Sequence, residues 1–367
     1  MTILSRRQTL TGLGAALALP YVRPSWAQSG SVNVYNWADY IGETTIADFE
    51  AATGISVVYD TYSSAEEMQA KMLAGSTGYD VVFTAGMSQP QMIAAGVYQK
   101  LDRSRLPGWV NLDPEILRIV DGWDPGAEYS LPYMWGSVGF TFNADMVKER
   151  LPEADLQSMD LLFKPENAAK LADCGISILD SPTDIMLMTL RYLGLDGDTT
   201  NTADYDKVIE AFAPIRDYIL TFDNTNYLNA IPNGELCVIN SWSGDYAVAK
   251  ARAVEAGLEL NLAYFVPKTG APAWLDVMAI PADAPNVDNA HAFLEFMLKP
   301  EVIAGATNYT SYANANLASK PFVDPAILAD PAVYPDEETI KRLWAPKALG
   351  EDQERALTRA WTAIKSG

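Results

Sequence analysis

The sequence predicts an α/β protein built as two lobes about a cleft, and three observations carry that prediction. Short β-rich runs alternate with helical ones from residue 31 onward, the pattern of layered α/β domains. The alternation breaks at 131–143, an extended segment with glycines at 136 and 139, and a second extended run returns at 274–280. Between them, residues from about 144 to 256 hold their own helices and a strand over 236–240. They read as a second domain inserted into the first.

The elements follow in order. Val32 and Val34 alternate with Asn33 and Tyr35 in a strand over 31–37, and a helix over 44–53 ends at Gly54. A strand over 55–60, a helix over 65–73 closed by Gly75, a buried strand over 80–84 and a helix over 89–95 ending at Gly96 complete a β-α-β-α-β opening. Such an opening turns its ligand-facing strand ends toward a cleft. Further on, 258–266 is extended, 274–280 is a buried strand returning to the first sheet, and 287–298 is an amphipathic helix before Pro300. Residues 309–315 form one more connection and 337–365 a helical tail. The first lobe is expected over 28–134 plus 258–308 and the second over 135–257 plus 309–367, each a mixed sheet flanked by helices. Two or three extended crossings would make a hinge, with small ligands bound between the lobes.

Residues 1–27 read as an export signal: Arg6-Arg7, an apolar stretch over 10–20, then Ser25-Trp26-Ala27 as a small-x-small cleavage site. The apolar stretch is too short to span a bilayer, which takes about 20 residues. The arginine pair favours the twin-arginine route to the periplasm, with the Sec route as the alternative. Removing Arg6, Arg7 and Arg23 with the signal leaves 23 basic residues against 47 acidic ones, a net charge of −24. That surface argues against nucleic acid or anionic lipid as a partner and favours the approach of cations.

Cys174 and Cys237 are too far apart for a CxxC redox or zinc motif. In an oxidising compartment an isolated pair forms one structural disulfide, with two buried free thiols as the alternative. The single histidine, His291, falls in the 287–298 helix, where a surface or packing role is expected. Ser/His/Asp, Cys/His and multi-His metal sites therefore lack material, and no GxGxxG fingerprint or metal-ligand cluster is present.

Three places pair a tryptophan with an aspartate: Trp37-Ala-Asp39-Tyr40, Trp242-Ser-Gly-Asp245-Tyr246 and Trp274-Leu-Asp276. In the last, two-residue spacing on a strand sends both side chains to one face and turns Leu275 and Val277 to the other. All three lie where a strand meets a loop or a crossing. Structural readings compete: Asp39 and Asp245 as helix caps, Trp242 and Trp274 as core. The functional reading is recognition of an alkyl diamine or triamine. Each ammonium needs carboxylates on desolvation, and the methylenes between need apolar walls. Tryptophan faces supply those walls and attract the cations by about 0.5–2 kcal/mol each.

These residues resemble a known family. Tyr35-Asn-Trp-Ala-Asp-Tyr-Ile41, the stretch from Leu73 to Val82 (LAGSTGYDVV), Leu131-Pro-Tyr-Met-Trp135, Trp242-Ser-Gly-Asp245, Tyr312-Ala-Asn-Ala-Asn316 and Thr358-Arg-Ala-Trp361 are similar, in order, to stretches of the periplasmic polyamine-binding proteins of ABC transporters. The resemblance covers essentially the whole mature chain and is closest to the putrescine-binding branch. It implies a two-lobed type II periplasmic-binding fold and a polyamine ligand, putrescine or spermidine. It implies an ABC permease as membrane partner, no cofactor, no catalysis and no metal, and a monomer. Trp37, Trp242, Trp274, Tyr40 and Tyr312 would form an aromatic box. Asp245 and Asp276 would hold one ammonium, with Asp39 and Asp184 toward the other end and Thr84 helping to hold ligand. Cys174 and Cys237 match the family's disulfide positions.

The chain departs from the pattern at Ala38, where serine is common, at Thr84-Ala85, which replaces a serine-containing pair, at Asp184 for glutamate, and at Trp274 for phenylalanine. The last two lean toward spermidine. The competing readings are an exported enzyme using paired carboxylates as acid and base, and a ligand sensor docking on a receptor with the same fold.

Overall fold

The computed structural model describes residues 30–62 and 64–367. The export signal expected over 1–27 lies outside the described residues. Among the described residues twelve strands form, in chain order: β1 (Ser31–Trp37), β2 (Ser56–Tyr62), β3 (Val81–Ala85), β4 (Tyr98–Gln99), β5 (Leu131–Asn143), β6 (Ile176–Ile178), β7 (Thr221–Phe222), β8 (Val238–Trp242), β9 (Leu262–Phe265), β10 (Ala271–Pro281), β11 (Ala313–Asn314) and β12 (Leu343–Trp344).

The alternation seen in the sequence does set the first strands. Val32 and Val34 of β1 are buried, and β1 pairs in parallel with β2 on one side and β3 on the other. Parallel neighbours need crossover connections, and the helices Thr45–Thr53 and Ala65–Ala74 supply them. Gly54 ends the first helix in the left-handed region at φ 74°, its N–H donating to the Glu50 carbonyl.

The sheet runs β2-β1-β3-β10-β5-β8-β6-β7, so β5 lies in the middle of the molecule. All thirteen of its residues are buried, as expected of a strand covered on both faces. From Leu131 to Ser137 it pairs with β10, and from Val138 to Phe142 with β8. One strand therefore serves both halves of the fold. Two short strands cross the boundaries expected from sequence. β9 pairs with Phe140–Asn143 of β5, beside the strand from the inserted region, and β11 pairs with Met134 and Trp135. Contiguous sequence boundaries miss such pairings because each is made by a few residues to a strand more than 100 positions away.

Cys174 and Cys237 form a disulfide, with a Cα–Cα separation of 5.4 Å, buried at the start of β6 and β8. His291 is buried. Its Nε2 accepts from the Asp102 backbone N–H at 3.0 Å, which leaves Nδ1 to donate to the Val287 carbonyl at 2.9 Å. Burial lowers its pKa and holds it neutral. This is a packing role.

The continuous helical tail expected over 337–365 is not formed. A short helix, Glu337–Arg342, gives way to β12, which pairs in parallel with Ala271 and Pro272 of β10. Pro346 cannot continue a helix, and its carbonyl accepts from Trp123 Nε1 at 2.7 Å. The helix resumes as Glu351–Ser366. Among the described residues, no helix is long and apolar enough to cross a membrane.

A cleft of aromatic rings and buried carboxylates

Three strand or helix ends and the middle of β10 meet at one cavity. β1 ends at Trp37 and the chain turns through Asp39, which sits at φ 54°, to Tyr40. β8 ends at Trp242, and the helix Ser243–Glu255 begins at once, so Asp245 lies in its first turn rather than capping it. On β10, Trp274 and Asp276 are partly exposed while Leu275 and Val277 are buried, as the two-residue period requires. Tyr312 follows the helix Pro300–Thr310 after a single left-handed residue, Ser311, at φ 59°.

These ends enclose a cleft of about 640 Å³ lined by Trp37, Ala38, Asp39, Tyr40, Trp242, Asp245, Trp274, Asp276 and Tyr312. A smaller chamber of about 230 Å³ adjoins it, sharing Trp242, Trp274 and Asp276 and adding Asp184, Ser181, Ala85 and Trp123. Eight of the ten candidate residues thus line the larger cleft, and Asp184 lies in the chamber beside it. Thr84 lines neither. It is fully buried opposite Val277, and its neighbour Ala85, opposite Asp276, reaches the chamber instead.

The rings are held by one another and by missing side chains. Tyr312 meets Trp274 edge-to-face at 5.0 Å and Tyr40 at 5.9 Å. Gly136 pairs with Trp274 across the strands, and a Cβ there would lie 2.4 Å from the indole. At Gly244 a Cβ would lie 1.6 Å from the Tyr312 ring. Gly244→Ala is therefore expected to force Tyr312 out of the cleft. Ligand affinity should fall at least tenfold, and the melting temperature should fall with an overpacking cost of about 1–3 kcal/mol, measured by calorimetry and thermal denaturation. The sequence marks Gly136 only as a glycine of the extended segment over 131–143, and Gly244 only as part of the Trp242–Asp245 stretch.

Three carboxylates carry the electrostatics. Burial raises Asp276 to about 6, with the Tyr40 hydroxyl pulling the other way. Burial likewise raises Asp245 to about 6, opposed by Tyr227, whose hydroxyl donates to Asp245 Oδ2, and by Arg252. Asp184 is also raised to about 6 by burial, against Ser181 and Trp242, whose Nε1 donates to Asp184 Oδ2 at 3.1 Å. Tyr227 lies 18 positions before Asp245, and nothing in the sequence marks it. None of the three aspartates makes an ion pair among the described residues. Partly desolvated anions without cations are unfavourable until a cation arrives. The aromatic rings that line the same cavities suit the apolar stem of such a cation. No cluster of His, Cys, Asp or Glu among the described residues could hold a metal ion.

Comparison with known proteins agrees with this chemistry. The putrescine-binding periplasmic protein SpuD of Pseudomonas aeruginosa is 45% identical over 93% of this chain and 93% of its own length. The putrescine-binding periplasmic protein PotF of Escherichia coli is 41% identical over the whole of both chains. Among solved structures, the spermidine/putrescine ABC transporter substrate-binding protein PotD of Streptococcus pneumoniae superposes with a TM-score of 0.83 at 27% identity, covering 92% of this chain and 99% of that one. The fold is the two-lobed architecture of those periplasmic binding proteins. Residues 44–335 match the model of one family over most of the chain: the protein belongs to the bacterial extracellular solute-binding proteins.

Proposed function

We propose that this protein captures a linear polyamine, putrescine or spermidine, in the periplasm and delivers it to an ABC permease without chemically changing it. The observation that carries the reading is the set of partly buried aspartates without ion partners, Asp245, Asp276 and Asp184, lining the same two connected cavities as Trp37, Trp242 and Trp274. The putrescine binders similar to this chain over nearly its whole length support it.

In this reading Asp245 and Asp276 hold ammonium groups in the larger cleft. Trp37, Trp242, Trp274, Tyr40 and Tyr312 cover the methylenes, and Asp39 lies at the cleft's other end. Asp184, in the adjoining chamber, supplies a further carboxylate for a third amine, which favours acceptance of spermidine beside putrescine. Thr84 acts through the strand rather than by touching ligand. The lobes are 28–134 with most of 258–308, and 135–257 with most of 309–367, with β9 and β11 exchanged as their pairings indicate. Export by the twin-arginine route and a monomeric state complete the proposal.

Micromolar binding needs about −8 kcal/mol. Two charge pairs in a closed cleft and several cation–π contacts supply that after ordering costs. A panel of putrescine, cadaverine, spermidine, spermine and agmatine tests it by thermal shift. Putrescine and spermidine at about 100 times their Kd should stabilise the protein by about 2.7 kcal/mol. No response to any member would sink the reading, and turnover lost in Asp245→Asn would replace it with an enzyme.

A further inference from the structure

Tyr227 stands outside the ligand space: it is only 1% exposed and lines neither the cleft nor the adjoining chamber. Its hydroxyl still reaches the site, donating to Asp245 Oδ2. The ring is held for that contact from two sides. It begins the short helix Tyr227–Ala230, where its backbone N–H donates to Asp223 Oδ2 at 3.0 Å. Two residues on, Asn229 Oδ1 accepts from Arg252 Nη1 at 2.6 Å, which ties this short helix to the helix Ser243–Glu255 that carries Asp245.

The kind of donor matters. A lysine or arginine paired with Asp245 would orient it but cancel the charge that attracts an incoming ammonium. A hydroxyl stabilises the carboxylate by a charge-assisted hydrogen bond and leaves its net charge in place. Burial raises the Tyr227 hydroxyl well above the ordinary phenol value, and the charge of Asp245 adds to that, so it stays a neutral donor. The other titratable groups around Asp245 are Arg252 on its own helix, Tyr264 on β9 and Tyr312, with Asp276 lining the same cleft. Burial raises both of those tyrosines too, and Arg252 is engaged by Asn229.

We propose that Tyr227 is a positioning residue for ligand capture, holding Asp245 in place and in its charged form through a neutral hydrogen bond without touching the ligand. The proposal rests on the functional reading above. Its test uses the mature protein and the variant Tyr227→Phe, which keeps the ring and removes only the hydroxyl. Putrescine affinity is measured by calorimetry from about pH 5 to about pH 8.5. A hydrogen bond to a charged group shifts an ionisation equilibrium about tenfold, so the pH at which affinity falls should move up by about one unit. Affinity of the variant should therefore match wild type within about threefold near pH 8.5 and lie about tenfold below it near pH 5. Comparison at each pH cancels the ligand's own protonation. In an Asp245→Asn background the same substitution should leave the remaining pH profile unchanged, because the group it acts on no longer titrates. Carbon-13 NMR of the Asp245 carboxyl in the empty protein reads the midpoint directly and should show the same upward move. If Tyr227→Phe melts early, 3-fluorotyrosine placed at 227, a stronger donor of nearly the same shape, should move that midpoint down instead. Loss of affinity by one factor at every pH makes Tyr227 a packing residue and overturns the proposal, as does an Asp245 midpoint that neither change moves. Failure of the wild type to bind putrescine is a separate result: it removes the functional reading, while a midpoint that moves still assigns the hydroxyl its hold on Asp245.

Discussion

Asp276→Ala should lower affinity for every cationic ligand by at least tenfold. Asp276 is shared by the larger cleft and the adjoining chamber, so an ammonium entering either space meets it. Its carboxylate lies on the ligand face of β10, with Leu275 and Val277 anchored in the core on either side, so truncation leaves the strand in place. A cation closed into the cleft without this partner loses a charge-assisted contact while still losing its water. In the empty protein the same substitution should be neutral or stabilising, because it removes a partly buried carboxylate that has no ion partner. Calorimetry on Asp276→Ala and Asp276→Asn, with their melting temperatures, checks both statements. Unchanged affinity with a lowered melting temperature would make Asp276 a structural residue.

Affinity should also collapse in mild acid. Asp245 and Asp276 rise to about 6 in the empty cleft because burial penalises their charge. The ligand's ammonium groups stay protonated throughout this range, so only the protein titrates. Near pH 7.5 both carboxylates are ionised and ready for the cation. Near pH 5 each must first release a proton, which costs about tenfold per group, or about a hundredfold for the pair. Stability of the empty protein moves the opposite way. A carboxyl raised above its unfolded value of 3.8 favours the fold below that value, and this contribution is lost as pH climbs through about 6. The ligand-induced thermal shift should therefore be large near pH 7.5 and small near pH 5. A shift independent of pH would remove these carboxylates from the binding event.

How far the sequence exposed this site depends on the range of each interaction. β1 was legible because valines alternate along it, and β10 because two-residue spacing alone decides which way Trp274 and Asp276 point. Thr84 shows the sensitivity of that logic. The strand expected over 80–84 lies at Val81–Ala85, and on a period of two neighbouring residues face opposite sides. Which of Thr84 and Ala85 meets the ligand is set by register with β10, which pairs Ala85 with Asp276. The tail failed for a related reason: pairing of Leu343 and Trp344 with β10 overrides local helical preference. The partners of the carboxylates were out of reach. Trp242 donates to Asp184 across 58 positions, and Tyr227 to Asp245 across 18, contacts that only the assembled fold creates.

The path of β5 through both halves of the sheet has a thermodynamic consequence. Lobes joined only by flexible linkers could melt separately, each with its own transition. Here the hydrogen bonds of β5 to β10 and to β8 share one backbone, so loosening either lobe removes the template on which the other is ordered. Binding in the cleft is therefore expected to shield amides on both sides from exchange, which hydrogen exchange with and without ligand measures.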